Sequence, residues 1–302
     1  MSDSTLYSRR LADSEADVWL AMVSDMTEVL SRPEIDRGHM ERFLGMEDTI
    51  CYVSTISGDP VGGTAVFVDR TRRALAFVDV VLKTYLRDRL LYTLLKSSLP
   101  FFRTVLIREV DVLLSVSESE NRVPFPLAYS FEEWTKPGLD RLEFKEIESV
   151  LCYSFDLGHS QESTRDALDW GEEHDSSEIA SLYWKVKDES HIDFSHVWLA
   201  QSYAASAGNV MTASLTTGEL IVATSLEKLG ASCVVGPLMI DKEEVEPSAL
   251  AGDIVGKAIH RDCSTLEIPL VGKGQVEYVE AIASHCHKEP VVKKLKLLRK
   301  HL

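Results

Sequence analysis

Residues 49–82 read TICYVSTISGDPVGGTAVFVDRTRRALAFVDVVL and contain the clearest structural signal in the chain. β-branched residues are frequent in Thr49–Ser57 and in Val61–Asp69, and the turn-forming sequence Gly-Asp-Pro at 58–60 separates the two runs. Two such runs around a tight turn predict a β-hairpin. Ala74–Leu82 is apolar almost throughout and predicts a third, mostly buried strand.

Helical and strand patterns alternate after this hairpin. Leucines recur at helical spacing in Arg87–Phe102, and β patterns follow in Val105–Val116 and Lys145–Leu157. A polar turn around Gly218 then lies between two further β patterns, 160 positions after Gly58. A shared order of elements at one spacing indicates a duplicated unit.

The second half repeats the same kinds of element. The patterns after the second hairpin are a strand at Ala231–Ile240, a helix at Val245–Arg261 and a strand at Thr265–Leu270. The small polar sequence GHSQEST at 158–164 is typical of a linker. We therefore predict an α+β (mixed α/β) protein of two tandem domains at 1–157 and 165–302, each with a mostly antiparallel sheet flanked by helices.

The composition excludes several classes of protein. Apolar residues make up 45% and the formal net charge is −16, which favours a globular protein over one that binds nucleic acid or an anionic membrane surface. The five cysteines are scattered and form no CxxC pair, and the nine histidines show no metal-ligand spacing, so we expect no metal site. The first residues lack the apolar region of a secretory signal, and a cytoplasmic location is expected.

Several motifs carry a resemblance to a known family. Gly58–Gly63, the strand end Val78-Asp79-Val80, Tyr85 with Arg87, and Leu142-Glu143-Phe144 together resemble the core of the GCN5-related N-acetyltransferase (GNAT) family. Val235-Gly236-Pro237-Leu238 and the elements after it are similar to the second unit of tandem GNAT proteins. The order of the predicted helices and strands resembles that of the family over nearly the whole chain. It implies a basic final strand at Val291–Leu302, for which a helix is the alternative.

The resemblance implies a site for acetyl-CoA or another acyl-CoA as co-substrate. In this family the pantetheine arm lies where the fourth and fifth strands part, which here implies pairing with Val80, Val81 and Leu82 and a parting after Leu82. The pyrophosphate lies on the first turn of the next helix, where unpaired amides and the helix dipole favour anions. The corresponding residues in this chain are Leu86, Arg87, Asp88, Arg89, Leu90 and Leu91.

This loop departs from the family pattern Gln/Arg-x-x-Gly-x-Gly/Ala. Leu86 replaces the polar residue, and Arg89 and Leu91 replace the two glycines that let backbone amides approach phosphates. Arg87 and Arg89 can compensate through charge-assisted hydrogen bonds, or they can be solvated residues at a helix start. The matching turn of the second half, residues 241–247, is acidic and lacks glycine, which predicts a structural or substrate-shaping role for that half.

Candidate catalytic residues follow from the same resemblance. Asp79 precedes the pantetheine strand edge, where it can serve as a base or position a water, and Asn121 and Tyr129 lie roughly where the family has an Asn and a general-acid Tyr. A structural position is the alternative to a catalytic role for Asp79, and Glu109 and Asp111 on the neighbouring strand share it. These acidic side chains can lie on an exposed face of the sheet or form ion pairs with Arg108.

Two functions are consistent with this sequence. The first is an acyl-CoA-dependent N-acyltransferase that transfers an acetyl group to a small-molecule or peptide amine, with the N-terminal half as the working domain. The alternative is a catalytically silent GNAT-like protein with a binding, regulatory or assembly role. Neither function involves nucleic acid or a membrane as a partner, and a homodimer is compatible with both.

Overall fold

The structure is a computed structural model that describes residues 6–26, 37–99, 106–115, 131–158, 166–171, 175–286 and 288–302. The chain forms two compact units. The N-terminal unit contains Met1–Glu148 and also Leu295–Leu302, and the second unit contains Ser149–Lys294. Most of the linker predicted at 158–164 lies outside the described residues.

Within the described residues, the N-terminal unit contains a six-stranded sheet with helices packed against it. Its strands and helices are β1 (Leu6–Arg10), α1 (Ala16–Met26), α2 (Arg37–Gly45), β2 (Thr49–Ile56), β3 (Asp59–Asp69), β4 (Ala74–Leu82), α3 (Arg87–Ser98), β5 (Glu109–Ser115) and α4 (Lys136–Arg141). Strand β6 (Lys145–Asp156) leads into the second unit, and β13 (Val291–His301) contributes its residues from Leu295 onward to the N-terminal unit. The described strands lie in the order β1-β2-β3-β4-β5-β13; the β4–β5 pair is parallel and the other pairs between them are antiparallel.

The second unit repeats this arrangement. Its elements after β6 are β7 (Trp170–Gly171), α5 (Ser176–Ser190), α6 (Ser195–Ser206), β8 (Val210–Ser214), β9 (Leu220–Leu229), β10 (Ser232–Val235), β11 (Met239–Ile240), α7 (Pro247–His260), β12 (Thr265–Val271) and α8 (Val276–Ala283). The strand order is β6-β12-β10-β9-β8-β7, with β11 on β9, and β10 and β12 are parallel.

The predicted fold class and the repeated order of elements are confirmed. Both predicted hairpins form, and the turn glycines Gly58 and Gly218 have φ values of 92° and 87°, a left-handed conformation that glycine adopts without steric cost. The expectation of one continuous strand at Ala231–Ile240 is wrong, because Gly236–Leu238 interrupts it. There the Gly236 amide donates a hydrogen bond of 2.7 Å to the carbonyl of Ser225.

The two faces of the N-terminal sheet are covered by different helices. Val80, Leu82 and Phe77 point toward a core that includes leucines of α3. On the other face, a Cβ at Gly63 would stand 2.9 Å from the ring of Trp19 in α1. The absence of a side chain at this position lets α1 lie close to β3.

Strand β13 confirms the extended conformation expected for the basic final segment. It pairs antiparallel with β5 from Leu295 opposite Ser115 to His301 opposite Glu109. No helix among the described residues has the length and apolar content that a membrane span requires.

Candidate functional site

Strands β4 and β5 part from each other inside the N-terminal sheet. Their parallel pairing begins at Ala74 opposite Glu109 and ends at Phe77 opposite Val112. Strand β4 nevertheless continues to Leu82, so its last five residues have no pairing with β5. The parting expected after Leu82 therefore occurs after Phe77.

A bulge in β4 explains where the two strands part. Ala65 of β3 is opposite Asp79 and Val66 is opposite Phe77, so Val78 is an extra residue in β4. An extra residue bends a strand and increases its local twist. The bend comes directly after the last residue that pairs with β5, and it directs the end of β4 away from that strand.

The backbone of Phe131 occupies part of the opening beside β5. The Phe131 amide donates to the Leu113 carbonyl at 2.6 Å, and the Ser115 amide donates to the Phe131 carbonyl at 2.8 Å. Because β13 pairs along the whole of the opposite edge of β5, Phe131 lies on the edge that faces β4. Its ring centroid is 6.0 Å from that of Phe77, so the vertex of the opening is apolar.

A short 3-10 turn connects the end of β4 to α3. The Leu86 amide donates to the Lys83 carbonyl at 2.8 Å, and the Arg87 amide donates to the Thr84 carbonyl. These two amides are therefore already hydrogen-bonded within the turn. The turn leads directly into α3, whose first residues are Arg87, Asp88 and Arg89.

The second unit contains a similar opening between β10 and β12. Their parallel pairing ends at Val234 opposite Glu267, and β12 continues to Val271. The buried side chain of Gln275 closes this opening, because its Nε2 donates to the Leu238 carbonyl while its Oε1 accepts a hydrogen bond of 2.9 Å from the Gly272 amide. Gln275 was not predicted to have this role, although it is a polar residue directly before a helix.

Comparisons with known proteins agree with this geometry. No protein-family model and no curated protein matches the sequence. The tandem GNAT protein from the clavulanic acid biosynthesis pathway has a similar structure, with a TM-score of 0.63 and 14% identity over 98% of each chain. The chain has the tandem GNAT fold.

Two further solved structures share this fold. A GCN5-related N-acetyltransferase from Sphaerobacter thermophilus has a TM-score of 0.62 and 12% identity, with coverage of 100% of this chain and 96% of that one. A GCN5-related glucosamine N-acetyltransferase region of a fungal multi-domain GH3 β-N-acetylglucosaminidase has a TM-score of 0.67 and 11% identity, with coverage of 99% and 38%. The GNAT resemblance seen in the sequence is confirmed at the level of fold.

Asp79 lies inside the N-terminal GNAT unit. Its side chain is 1% exposed. Asp79 in β4 is opposite Ala65 in β3, and Ala65 is opposite Cys51 in β2, so the three residues lie on one face of the sheet. Burial, followed by the charge of Asp79, raises the pKa of the Cys51 thiol well above its usual value. The expected exposed position is thus wrong for Asp79.

The structure also corrects the exposed position, or the pairing with Arg108, that was considered for Glu109 and Asp111. Asp111 is fully buried, and both acids form ion pairs with Arg72 and Arg299. The sequence suggested Arg108 because it is adjacent in the chain. The actual partners come from a turn after β3 and from β13, which sequence spacing does not reveal.

The other predicted catalytic residues, Asn121 and Tyr129, lie outside the described residues. The predicted pantetheine edge, Val80, Val81 and Leu82, forms the end of β4, and each residue is 1% exposed. Two of the three side chains, Val80 and Leu82, belong to the core beneath α3. What the edge offers to a ligand is therefore its backbone.

The predicted pyrophosphate loop divides into buried and exposed residues. Asp88 and Arg89 are exposed, Leu90 is half-buried, and Leu91 is buried. A Cβ at Gly138 would stand 2.7 Å from Cγ of Leu91, so Leu91 fits against α4 where that helix has no side chain. Since Leu91 points into the core, its bulk does not extend into solvent at the start of α3.

Arg87 lies against an aromatic ring. Its guanidinium carbon is 4.2 Å from the centroid of the Trp134 ring, just before α4. A guanidinium plane over an indole is the most favourable of the cation–π arrangements. Arg87 is therefore held in place by packing and is not a freely solvated side chain.

The acidic turn before α7 is neutralised in part. Asp241 is buried, and its Oδ2 is 2.6 Å from Nζ of Lys185, which also contacts Glu219 at 3.1 Å. These two carboxylates raise the pKa of Lys185. Glu243, Glu244 and the other acids of this turn leave no excess positive charge there. The structural or substrate-shaping role of the second unit stays a prediction. Among the residues that the structure describes, no group of three potential ligands could hold a metal ion.

Proposed function

We propose that the chain is an acyl-CoA-dependent N-acyltransferase whose N-terminal unit binds the acyl donor. The observation that carries this proposal is the parting of β4 and β5 after Phe77, beyond which no described residue pairs with the backbone of Val80–Leu82 on the β5 side. An extended arm with amide groups can hydrogen-bond to such an edge as an added strand does. The tandem GNAT fold of the whole chain supports this assignment.

The residues of the opening fit the proposed donor in two respects. The β4 edge supplies backbone groups for pantetheine, and Arg87 supplies a positive charge where the pyrophosphate would lie. Among the residues that the structure describes, no hydrogen-bond acceptor contacts the buried Nε of Arg87. Acetyl-CoA or another acyl-CoA would supply the acyl group as a thioester.

The transfer requires two proton movements by the protein. We assign the base to Asp79, which accepts the proton lost by the acceptor amine as the C–N bond forms, directly or through a water. We assign the acid to Tyr129, which protonates the thiolate when the C–S bond breaks, and a positioning role to Asn121.

A second candidate function is a GNAT-like protein that no longer transfers acyl groups. The hydrogen bonds between Phe131 and the edge of β5 favour it, because they fill part of the opening with the protein's own backbone. The bulky residues Arg89 and Leu91 at the family's glycine positions favour it as well. The second unit supports neither candidate in particular, since Gln275 closes its opening.

Binding of acetyl-CoA to the full chain separates the two candidates. The full chain is required because residues 1–157 alone lack Leu295–Leu302, which pair with β5. We expect acetyl-CoA and CoA to raise the unfolding temperature and to give a calorimetric binding signal. No heat and no thermal shift at millimolar ligand would exclude the transferase and leave the silent protein.

Turnover tests the assignment of Asp79. Release of the CoA thiol is measured with a thiol reagent while small-molecule and peptide amines are supplied as acceptors. We expect Asp79→Asn to lower kcat about a hundredfold or more while acetyl-CoA still binds. Asp59→Asn is the matched control, because Asp59 is an exposed acid on the neighbouring strand. Equal rates for both variants would show that Asp79 is not the base.

A further inference from the structure

A cavity of about 410 Å³ lies at the end of the N-terminal sheet where β4 begins. Its described lining comes from residues around the start of β2, from the end of β3 and the turn after it, and from the segment just before β5. The proposed donor edge begins at Val80, six positions after the first residue of β4, which is about 20 Å along a strand. The cavity is therefore separate from the site of the proposed function, and its size is typical of a small-molecule site.

One wall of the cavity is apolar and contains a residue in an unfavourable position. Ile50, Val68, Leu106 and Ile107 form this wall. Leu106 is 77% exposed and has φ of 61°, a left-handed conformation that is unfavourable for a bulky side chain. Backbone conformations of this kind are concentrated at ligand sites. Exposure and conformation both disfavour leucine here, which indicates an apolar surface that a ligand covers.

One side of the cavity is net negative. Arg70 donates from Nε to Asp48 at 2.6 Å and from a terminal nitrogen to Glu47 at 2.8 Å. One arginine compensates only one of these two carboxylates. Asp69, the third acid of the lining, is buried and forms an ion pair with Arg72. This side of the cavity therefore attracts a cationic group.

Arg73 brings a positive charge to the same cavity. Its side chain is exposed, and no acid in the part of the chain that the structure describes forms an ion pair with it. Arg73 and the acid pair of Glu47 and Asp48 are thus held apart, although they line one space. A guanidinium group presents a planar set of N–H groups that binds a carboxylate through two parallel hydrogen bonds. The space between these opposite charges suits a ligand that carries both.

We propose that this cavity binds a zwitterion with an apolar body, namely an apolar amino acid or a short apolar peptide. Its carboxylate binds Arg73, its ammonium group binds the acid pair of Glu47 and Asp48, and its apolar body covers Leu106. A simple carboxylate would leave the acid pair without a cation, and a simple amine would leave Arg73 without an anion. The inference does not depend on acyl transfer, because the site is defined by residues outside the opening between β4 and β5.

Calorimetric titration of the full chain tests the chemistry of the ligand. L-Leucine and leucyl-leucine are the probes, and the one that binds more tightly distinguishes a free amino acid from a peptide. We expect at least one of them to give a binding signal at millimolar concentration and to raise the unfolding temperature. If neither probe binds, the proposal is overturned.

Two comparison ligands test whether both charges are used. Isovalerate keeps the apolar body and the carboxylate but lacks the ammonium group, and isoamylamine keeps the ammonium group but lacks the carboxylate. Each should bind at least tenfold more weakly than the better probe, since a charge-assisted hydrogen bond is lost. Equal affinity of either comparison ligand and the better probe would contradict recognition of a zwitterion.

Two substitutions test where the ligand binds. Arg73→Gln removes the charge at a similar length, and Leu106→Ala removes most of the apolar side chain. Both positions are exposed, so the fold should persist, and thermal unfolding verifies it. We expect each substitution to weaken binding of the better probe about tenfold, through a lost charged hydrogen bond and lost apolar contact respectively.

The matched controls are Arg108→Gln and Val291→Ala. Arg108 is an exposed arginine close to Leu106 in the sequence that does not line the cavity, and Val291 is an exposed apolar residue of β13. Neither control should change the affinity more than twofold. An equal loss in Arg73→Gln and Arg108→Gln would show a general effect of charge, and unchanged affinity in both test variants would place the ligand elsewhere. Either result overturns the proposal.

Discussion

Arg299 donates two hydrogen bonds to Asp111, although 188 positions separate them in the chain. Nε of Arg299 lies 2.6 Å from Oδ1 of Asp111, and a terminal nitrogen lies 3.2 Å from Oδ2. Arg72 contacts the same carboxylate at 3.0 Å, and both guanidinium groups also pair with Glu109. The two cations are thus shared by more than one acid. Strand β13 is thereby attached to β5 by a buried charge pair as well as by backbone pairing.

Removal of Arg299 should destabilise the N-terminal unit strongly. Arg299→Ala leaves Asp111 buried with only one of its two arginines, and we expect a loss of about 3 kcal/mol in the free energy of unfolding. Chemical denaturation followed by circular dichroism measures this loss. Lys296→Ala on the same strand breaks a half-exposed pair with Glu146 and should cost about 1 kcal/mol or less. Equal effects of the two substitutions would contradict the role given to Arg299.

Glycine at position 143 should stabilise the protein. Glu143 follows α4 with φ of 65°, a conformation in which a Cβ is unfavourable. We expect Glu143→Gly to add about 0.5–1 kcal/mol to the free energy of unfolding, because the steric relief exceeds the entropy that glycine loses. Glu143→Ala removes the long contact with Lys300 but keeps the Cβ, so it should bring no gain. A gain in both variants would mean that charge, not backbone conformation, is responsible.

Truncation of Gln275 should show how firmly the second opening is closed. Gln275→Ala leaves the carbonyl of Leu238 and the amide of Gly272 buried without partners, and we expect a loss of about 3 kcal/mol in the free energy of unfolding. Denaturant titration is again the measurement. Lys273→Ala is the control, since Lys273 is exposed in the same turn. A loss below about 1 kcal/mol would show that water replaces the amide and that the opening is accessible.

Tyr278 should make stability depend on pH in alkaline solution. Burial, with smaller contributions from nearby acids, raises the pKa of Tyr278 to about 12. A folded pKa above the unfolded one gives a contribution that is complete below pH 10 and is lost as the pH rises toward 12. Tyr278→Phe loses the hydrogen bond from Tyr278 to the Val245 carbonyl, so it should be less stable at neutral pH.

The two proteins should therefore converge in stability as the pH rises. The free energies of unfolding of the parent chain and of Tyr278→Phe are compared at intervals between pH 8 and 11.5. The difference is expected to be constant up to about pH 10 and to shrink above it. A constant difference over the whole interval would show that the hydroxyl ionises as readily in the folded as in the unfolded chain.

The sequence predicted the parts of the fold that depend on local patterns. The hairpin at Gly58 and the apolar strand β4 are each determined by a few adjacent residues, and the structure has them. The bulge at Val78 was not predicted, because an extra residue in a uniformly apolar strand changes no pattern. The interruption at Gly236–Leu238 was missed in the same way, since apolar residues flank it on both sides.

The parts of the site that were missed depend on long-range contacts. Phe131 reaches the edge of β5 after a connection of 15 residues, and nothing in the periodicity of that segment indicates the pairing. The contact of Trp134 with Arg87 appears only when α3 and α4 are packed. The assignments of Asp79, Asn121 and Tyr129 as catalytic residues remain predictions.

The pairing of β13 with β5 has a consequence for how the protein is made. Until residues 295–302 have left the ribosome, β5 has an unsatisfied edge and Asp111 lacks one of its arginines. Domains usually fold in the order of their synthesis, but this N-terminal unit must wait while about 150 further residues are translated. A nascent chain arrested before Leu295 should therefore remain sensitive to proteases and bind chaperones even after its first 148 residues are complete.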